Sequence, residues 1–138
     1  MSSDHPGSCE LDKARYVSLT TFKRDGTAVS TPVWITGTGG RYVFTTGDKA
    51  WKTRRLLRNP AIEVRVCDMR GRVKPNALLH AGTGHVSTSR ADIAEAELAL
   101  SAKYGWQFRA TKIVDWIKRR LGRGPIQEVV AIRLSIAD

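Results

Sequence analysis

The chain has 138 residues and a mass of 15.3 kDa, which is the size of a single compact domain. Its 41% hydrophobic and 26% charged residues exclude a disordered or low-complexity chain, and no apolar run reaches the ~20 residues that a membrane-spanning helix needs. The first ten residues lack the basic and apolar regions of a signal peptide, so we expect a soluble, cytoplasmic protein. Twenty-three Lys and Arg against 13 Asp and Glu give a net charge of +10, which predicts an acidic partner such as nucleic acid or a phosphorylated or polycarboxylate ligand.

The N-terminal segment and the cysteines carry little pattern. Residues 1–13 contain Ser, Gly, Pro and Asp without periodicity, which predicts a flexible tail before a single domain over residues 14–138. Cys9 and Cys67 are far apart and form neither a disulfide framework nor a metal pair. We expect both thiols to be reduced.

The first half of the domain predicts a meander of three strands. Aromatic and β-branched residues indicate strands over 15–22 and 28–35, joined by a hairpin loop. Pro32 in the second strand cannot donate to a ladder, so we expect an edge or a bulge there. The Gly-rich residues 36–40 predict a turn into a third strand over 41–46.

The rest of the chain alternates helices and strands. A helix is predicted after Gly47, with Asp48 as N-cap and a body over 49–58, and it must end at Asn59 because proline follows. The remaining predicted elements are strands over 61–67 and 77–87, a helix between Ser89 and Gly105, a helix over 108–121 and a strand over 126–136. Six strands with peripheral helices predict a mainly β fold, an antiparallel β-barrel.

Several patterns that suggest chemistry do not support it on inspection. The Gly-rich segments 37–40 and 82–85 do not join a strand to a helix, so they do not match a dinucleotide-binding fingerprint. His80 and His85 are five residues apart in a predicted strand, so they point to opposite faces and cannot share a metal ion. No serine triad or carboxylate pair stands out, and we predict no catalytic residue and no metal site.

Residues 45–60 form the strongest local signal. A strand ends in two threonines, a glycine turn follows, and Lys49 and Lys52 lie in the predicted first helical turn. Free backbone N–H groups and the helix dipole favour an anion at this position. The segment carries no acid after Asp48 and three further cations, Arg54, Arg55 and Arg58. Charge alone would equally fit a solvated basic face.

The chain resembles the pyridoxamine 5'-phosphate oxidase-like split-barrel superfamily, and within it the actinobacterial deazaflavin-dependent oxidoreductases that use coenzyme F420. The resemblance covers about residues 13–136 and is carried by the segments 15–35, 42–64, 67–73 and 103–106. It implies a six-stranded antiparallel split β-barrel like that of FMN-binding proteins. It also implies a homodimer with the cofactor in a groove at the subunit interface.

The resemblance further implies which residues bind the cofactor. The phosphate falls on Lys52, with Thr45, Thr46 and Lys49 beside it. Backbone groups of one strand segment would meet the tricyclic ring: Thr31, Pro32 and Val33. Trp34 and Trp106 are candidates to cover the ring, and the cations that could reach an anionic tail are Arg58, Arg72 and Lys74.

The charge also bears on the choice of cofactor. F420 carries a phosphodiester, a lactyl carboxylate and a glutamate tail, whereas FMN carries one phosphate monoester and needs fewer cations. The region that follows the third strand holds nine cations: Lys49, Lys52, Arg54, Arg55, Arg58, Arg65, Arg70, Arg72 and Lys74. We therefore predict an F420-dependent oxidoreductase that transfers a hydride between the deazaflavin and a small organic substrate.

Two alternatives stay open at this point. One is an FMN-dependent oxidase or reductase on the same fold. The other is a basic nucleic-acid-binding module that uses the cationic helix and residues 118–123. Under the preferred interpretation the partners are a small-molecule substrate and a second copy of the chain, and neither nucleic acid nor a membrane is expected.

Overall fold

The structure, a computed structural model, describes residues 6–108, 110 and 128–137. Within them the elements are, in chain order, α1 (Pro6–Lys13), β1 (Val17–Phe22), β2 (Ala28–Val33), β3 (Thr36–Thr38), β4 (Arg41–Gly47), α2 (Trp51–Arg58), β5 (Ala61–Val66), β6 (His80–Ser87), α3 (Arg90–Tyr104) and β7 (Val129–Ile136). The strands form one antiparallel sheet in the order β2-β1-β5-β6-β7-β4-β3. The predicted mainly β, split-barrel fold is confirmed, with one strand more than expected.

One hydrophobic core fills the concave side of the sheet. Val33 at one edge of the sheet, Phe44 near the other edge and Ile132 between them belong to the same buried cluster. Residues from opposite ends of a sheet can meet only if the sheet curls around them, as in a split barrel. Leu11 of α1 and Leu56 of α2 join this cluster and close the core from the helices.

The additional strand, β3, lies where we predicted a turn. That prediction is wrong for its first three residues, because Thr36 pairs with Val43 and Thr38 with Arg41. Only Gly39 and the glycine after it, with φ angles of 64° and 85°, are left to make the turn. Without β3, the edge of β4 away from β7 would be unpaired, and the pairing with β3 satisfies the backbone groups of that edge.

α1 corrects our expectation of a flexible tail for residues 6–13, whereas residues 1–5 lie outside the described residues. Leu11 is fully buried, and the carboxylate of Asp12 accepts a 2.6 Å hydrogen bond from the hydroxyl of Tyr42. The side chains of Glu10 and His80 lie 3.1 Å apart. Tertiary contacts therefore order a segment whose composition alone indicates none.

α2 begins two residues later than predicted. Its N-cap is Ala50, which has no side-chain cap, so the assignment of Asp48 as N-cap is wrong. Asp48 instead holds Glu128 ahead of β7: its N–H donates to the Glu128 carbonyl at 2.8 Å, and its carboxylate accepts from the Glu128 N–H at 3.0 Å. Lys49 consequently precedes the helix, and the predicted helix end at Asn59 is confirmed.

The capping of α3 follows the prediction. Ser89 is the N-cap and its hydroxyl accepts the N–H of Asp92 at 3.3 Å, while Gly105 closes the helix with a φ of 61°. Ala96, Leu100 and Tyr104 are buried on one face, as the spacing predicts.

We expect Ser89→Ala to lower the free energy of unfolding by about 1 kcal/mol, because the substitution leaves a helix-terminal N–H without its acceptor. Thermal melting of the two proteins measures this difference. Ser101→Ala, which removes a hydroxyl inside the same helix, is the control and should change stability less. Equal losses in both variants would contradict the capping role.

Other predicted boundaries shift or lie outside the description. β6 starts at His80 rather than at residue 77. β7 starts at Val129, and residues 126–127 of the predicted strand lie outside the described residues. The predicted helix over 108–121 and the basic segment 118–123 lie largely outside the described residues. Over the ranges that are described, no helix has the length and apolar character to cross a membrane. Cys67 is a free thiol, as expected.

Candidate functional site

α2 follows β4 directly and is anchored by its inner side. Thr53 is buried and donates its hydroxyl to the carbonyl of Gly47 at 2.8 Å. Leu56 packs into the core over Gly84, where a Cβ atom would lie 3.2 Å from a Leu56 methyl group. The glycine in β6 thus lets the helix approach the sheet closely.

One flank of this helix carries two half-buried cations, Lys52 and Arg55. Burial, and then the positive charge of Arg55, lower the pKa of Lys52. Arg55 lies with its guanidinium 3.5 Å from the Thr21 hydroxyl of β1, at the limit of a hydrogen bond. Within residues 6–108 and 128–137 neither cation has a carboxylate partner. Two adjacent, unneutralised cations of this kind fit a phosphate group.

The sequence analysis counts Arg55 among the cations of this segment but does not place it beside the phosphate, although its three-residue spacing from Lys52 puts both side chains on neighbouring positions of a helix. Thr45 and Thr46 are half-buried at the end of β4, the strand that leads into α2. Lys49 is exposed in the connection between them. The residues predicted around the phosphate thus lie at the end of β4, in the connection to α2 and in the first turn of α2, and Arg55 adds one more cation beside Lys52.

The segment expected to meet the ring lies on an edge strand, as predicted from Pro32. Thr31, Pro32 and Val33 pair only with β1, and β2 has no neighbour on its other side among the strands described here. Val33 is buried on the concave side, whereas Pro32 is exposed on the convex side. The free edge leaves backbone N–H and C=O groups of this segment available to a ligand.

The register connects this segment to the cationic flank of α2. Thr21, which Arg55 contacts, pairs with Val29. Thr31 is two residues further along the same strand and on the same face, about 7 Å away at ~3.3 Å per residue. The predicted phosphate position and the predicted ring position thus lie on one side of the sheet.

The three cations predicted for an anionic tail do not converge on Lys52. Arg58 is exposed on α2, and Arg72 and Lys74 belong to the loop between β5 and β6. This loop packs on the convex face, where Gly71 lies against the ring of Pro32. Arg72 is also engaged by Asp68, with 3.2 Å between its Nε and the carboxylate. The loop that carries Arg72 and Lys74 therefore contacts the side of the sheet opposite to the one where Arg55 contacts Thr21.

The two tryptophan candidates differ in their surroundings. Trp34 is half-buried and stacks on Tyr104, with ring centroids 4.7 Å apart and an interplanar angle of 10°. Trp106 is 75% exposed. Trp34 accordingly has a packing role against α3, and Trp106 is the accessible aromatic of the pair.

Tyr104 and Lys103 connect α3 to the residues that flank β1 and β2 by hydrogen bonds. The Tyr104 hydroxyl lies 2.9 Å from the carbonyl oxygens of Arg15 and Ile35 and accepts the N–H of Ile35 at 3.2 Å. The Lys103 ammonium donates to the carbonyls of Ala14 and Ile35, both at 2.8 Å. These contacts fix the connection between β2 and β3, and with it the strand that carries Thr31 to Val33.

This arrangement predicts a pH dependence. Burial raises the pKa of Tyr104 to about 12, against roughly 10 for an unfolded tyrosine. The neutral phenol therefore stabilises the fold below pH 10, and this contribution is lost as the pH rises from about 10 to 12. Denaturant titrations across that interval should show the free energy of unfolding falling more steeply for the unsubstituted protein than for Tyr104→Phe. If the free energy of unfolding falls equally with pH in both proteins, the neutral phenol of Tyr104 does not contribute this stability.

The false leads of the sequence have structural explanations. His80 is buried beside Glu10 and His85 is exposed on the other face of β6, as the spacing predicts. In the described part of the chain no group of three His, Cys, Asp or Glu side chains could hold a metal ion. Gly82 and Gly84 lie within β6, so the segment around them is a strand and not a phosphate loop.

The sequence matches the family model described as pyridoxamine 5'-phosphate oxidase over residues 8–132. No functionally curated protein matches the chain in sequence. Similar solved structures include an F420 reductase, at 21% identity and a TM-score of 0.64, with 98% of this chain and 96% of that chain covered.

Two further neighbours carry other ligands in their descriptions. The haem storage protein HutZ from Vibrio cholerae is 14% identical, with a TM-score of 0.66 and coverage of 97% of this chain and 90% of its own. A FAD-binding protein from Mesorhizobium loti is 15% identical, with a TM-score of 0.61 and coverage of 98% and 90%. These neighbours share the fold. Because the family model spans most of its length, the chain belongs to the pyridoxamine 5'-phosphate oxidase family.

Proposed function

We propose that the protein is an oxidoreductase that binds F420 and transfers a hydride between this deazaflavin and a small organic substrate. The observation that carries the proposal is the pair Lys52 and Arg55, two half-buried cations without a carboxylate partner among the described residues. Such a pair is costly unless an anion neutralises it. The similarity to an F420 reductase over nearly the whole of both chains supports the choice of cofactor.

The residues present fit a phosphorylated tricyclic cofactor. Lys52 and Arg55 would hold the phosphate, with the Thr45 and Thr46 hydroxyls near the start of the helix. The free edge of β2 at Thr31 to Val33 would offer backbone groups to the polar rim of the ring. When bound, the deazaflavin supplies the hydride chemistry, and the protein contributes binding, orientation and charge. We assign no catalytic residue in the chain.

FMN is the second candidate, and one observation favours it. Lys52 and Arg55 alone match the charge of a single phosphate monoester, while Arg72 and Lys74 belong to a loop that packs on the convex side of the sheet. The nine cations that favour F420 in the sequence analysis thus lie on different parts of the chain, the β4–α2 connection, α2, β5 and the β5–β6 loop, and do not all surround Lys52. A comparison of the two cofactors on one protein preparation decides between them.

The test is a titration of the apo protein with F420 and with FMN, followed by cofactor fluorescence. We expect tighter binding of F420 and a larger loss of F420 affinity with salt, because screening shortens the Debye length from about 10 Å at 0.1 M to about 3 Å at 1 M. Retention of FMN without measurable F420 binding would make the protein a flavin enzyme. Binding of neither cofactor would contradict the oxidoreductase proposal.

We also propose a homodimer. The β5–β6 loop carries exposed apolar side chains, with Met69 68% and Leu78 53% exposed, and its Gly71 lies against Pro32 of the edge strand β2. A second copy of the chain could cover this surface in a two-fold contact that buries the apolar side chains of both loops.

Light scattering at micromolar concentration should give about twice 15.3 kDa. Met69→Asp combined with Leu78→Asp should shift the mass toward the monomer, because a buried apolar contact would acquire two carboxylates. Leu98→Asp, at an equally exposed position on α3, is the control and should stay dimeric. A monomeric starting protein would contradict both the dimer and the interfacial groove.

A further inference from the structure

The side of α2 that faces away from the core carries two exposed apolar residues among cations. Trp51 is 68% exposed and Leu57 is 69% exposed. The Arg54 guanidinium lies 5.1 Å from the centre of the Trp51 ring. No acidic residue occurs between Asp48 and Glu63 in the sequence. This side of the helix is therefore apolar and strongly cationic at once.

Helical geometry explains why these residues share one side. Successive residues turn by about 100°, so the buried Thr53 and Leu56 define the inner side of α2. The residues on the outer side are Trp51, Arg54, Leu57 and Arg58, and we call them the outer face of α2. The proposed cofactor residues lie to one side of this face: Lys52 is on a flank of the helix, and the half-buried Arg55 lies between that flank and Trp51. The outer face therefore borders the proposed cofactor site without including its two cations.

An exposed leucine on α3 provides the contrast. Leu98 is 74% exposed, as much as Leu57, yet its neighbours on the helix are Glu95 and Glu97. Single exposed apolar residues are common on soluble proteins and need no partner. What distinguishes the outer face of α2 is the combination of an aromatic ring, an aliphatic side chain and cations without acids.

We propose that the outer face of α2 docks on an anionic lipid surface. Tryptophan favours the boundary between headgroups and acyl chains, a leucine side chain partitions into it, and arginines are attracted to anionic headgroups. A net charge of +10 adds a long-range attraction of the same sign. Our earlier expectation of no membrane partner rested on the lack of a spanning segment, which a peripheral contact does not need.

Two other occupants fit the surface less well. A nucleic acid would use the cations, but Leu57 offers it nothing, and Arg54 already covers a face of the Trp51 ring on which a base would stack. A second copy of the chain in a two-fold contact would place this patch against itself, with Arg54 and Arg58 facing like charges. An anionic lipid surface satisfies both the apolar and the cationic residues.

Sedimentation of the protein with vesicles tests this proposal. We expect binding to vesicles that contain phosphatidylglycerol in phosphatidylcholine, and none to phosphatidylcholine alone. Trp51→Ser combined with Leu57→Ser should weaken binding by about tenfold or more, and Arg54→Gln combined with Arg58→Gln should do the same by removing the attraction to the headgroups. The control Leu98→Ser should bind like the unsubstituted protein.

Several outcomes would overturn the proposal. The first is that both double variants bind vesicles as tightly as the Leu98→Ser control. The second is that vesicle binding does not depend on phosphatidylglycerol, and the third is that the protein binds no vesicles at all. If light scattering gives a lower mass for the Trp51→Ser and Leu57→Ser double variant than for the unsubstituted protein, the outer face of α2 serves self-association instead. Salt-sensitive binding of a DNA or RNA oligonucleotide that needs Arg54 and Arg58, without vesicle binding, would assign it to nucleic acid.

Discussion

Replacing Lys52 with alanine should weaken cofactor binding by roughly 10- to 150-fold, the equivalent of losing a charge-assisted hydrogen bond of about 1.5 to 3 kcal/mol. The same substitution should leave the melting temperature unchanged or slightly raised. The reason is the lowered pKa of Lys52: burial and the neighbouring Arg55 already disfavour its charged form in the fold. Fluorescence titration with F420 and FMN measures the first effect, and thermal unfolding measures the second.

The helix supplies its own controls for this prediction. Arg55→Ala should cause a loss of the same order as Lys52→Ala, because both side chains lie on the same flank. Arg54→Ala removes an equal charge from the exposed outer face and should change affinity by less than about threefold. If Arg54→Ala and Lys52→Ala reduce affinity equally, binding depends on net charge and not on a phosphate site at this flank.

The sequence predicted much of the fold because hydrophobic periodicity and capping residues act locally. The alternation in β5 and β7 and the capping residues of α3, Ser89 and Gly105, each identify an element without knowledge of its neighbours. The features that were missed depend on distant partners. β3 forms because β4 has a free edge, and α1 is ordered because the core accepts Leu11.

The same distinction applies to the candidate site. The position of Lys52 after a strand end and a glycine turn could be predicted from the sequence alone. Asp48 could not, because its carboxylate is taken by the backbone of Glu128, 80 residues away. The position of Arg72 in the fold was equally inaccessible, since it follows from the packing of its loop against Pro32 on the convex side of the sheet. Charge can be summed from a sequence, but where each charge points depends on the fold.

Gly82→Ala should be among the most destabilising single substitutions in the sheet. Gly82 pairs with Ile136 of β7, and a Cβ atom at Gly82 would lie 2.1 Å from the backbone oxygen of Ser135. The clash is with main chain, which cannot rotate away, so relief requires β6 and β7 to separate locally. We expect a loss of about 3 kcal/mol and a fall in melting temperature of about 10 °C.

Gly84→Ala, two residues along the same strand, provides the matched comparison. Its Cβ atom would meet only side-chain ends, at 3.2 Å from methyl groups of Leu134 and Leu56, and these can give way by a few tenths of an ångström. The cost should stay near 1 kcal/mol, so Gly82→Ala should melt well below Gly84→Ala. The reverse order would show that the contact of α2 with β6, rather than the spacing of β6 and β7, limits the stability of this sheet.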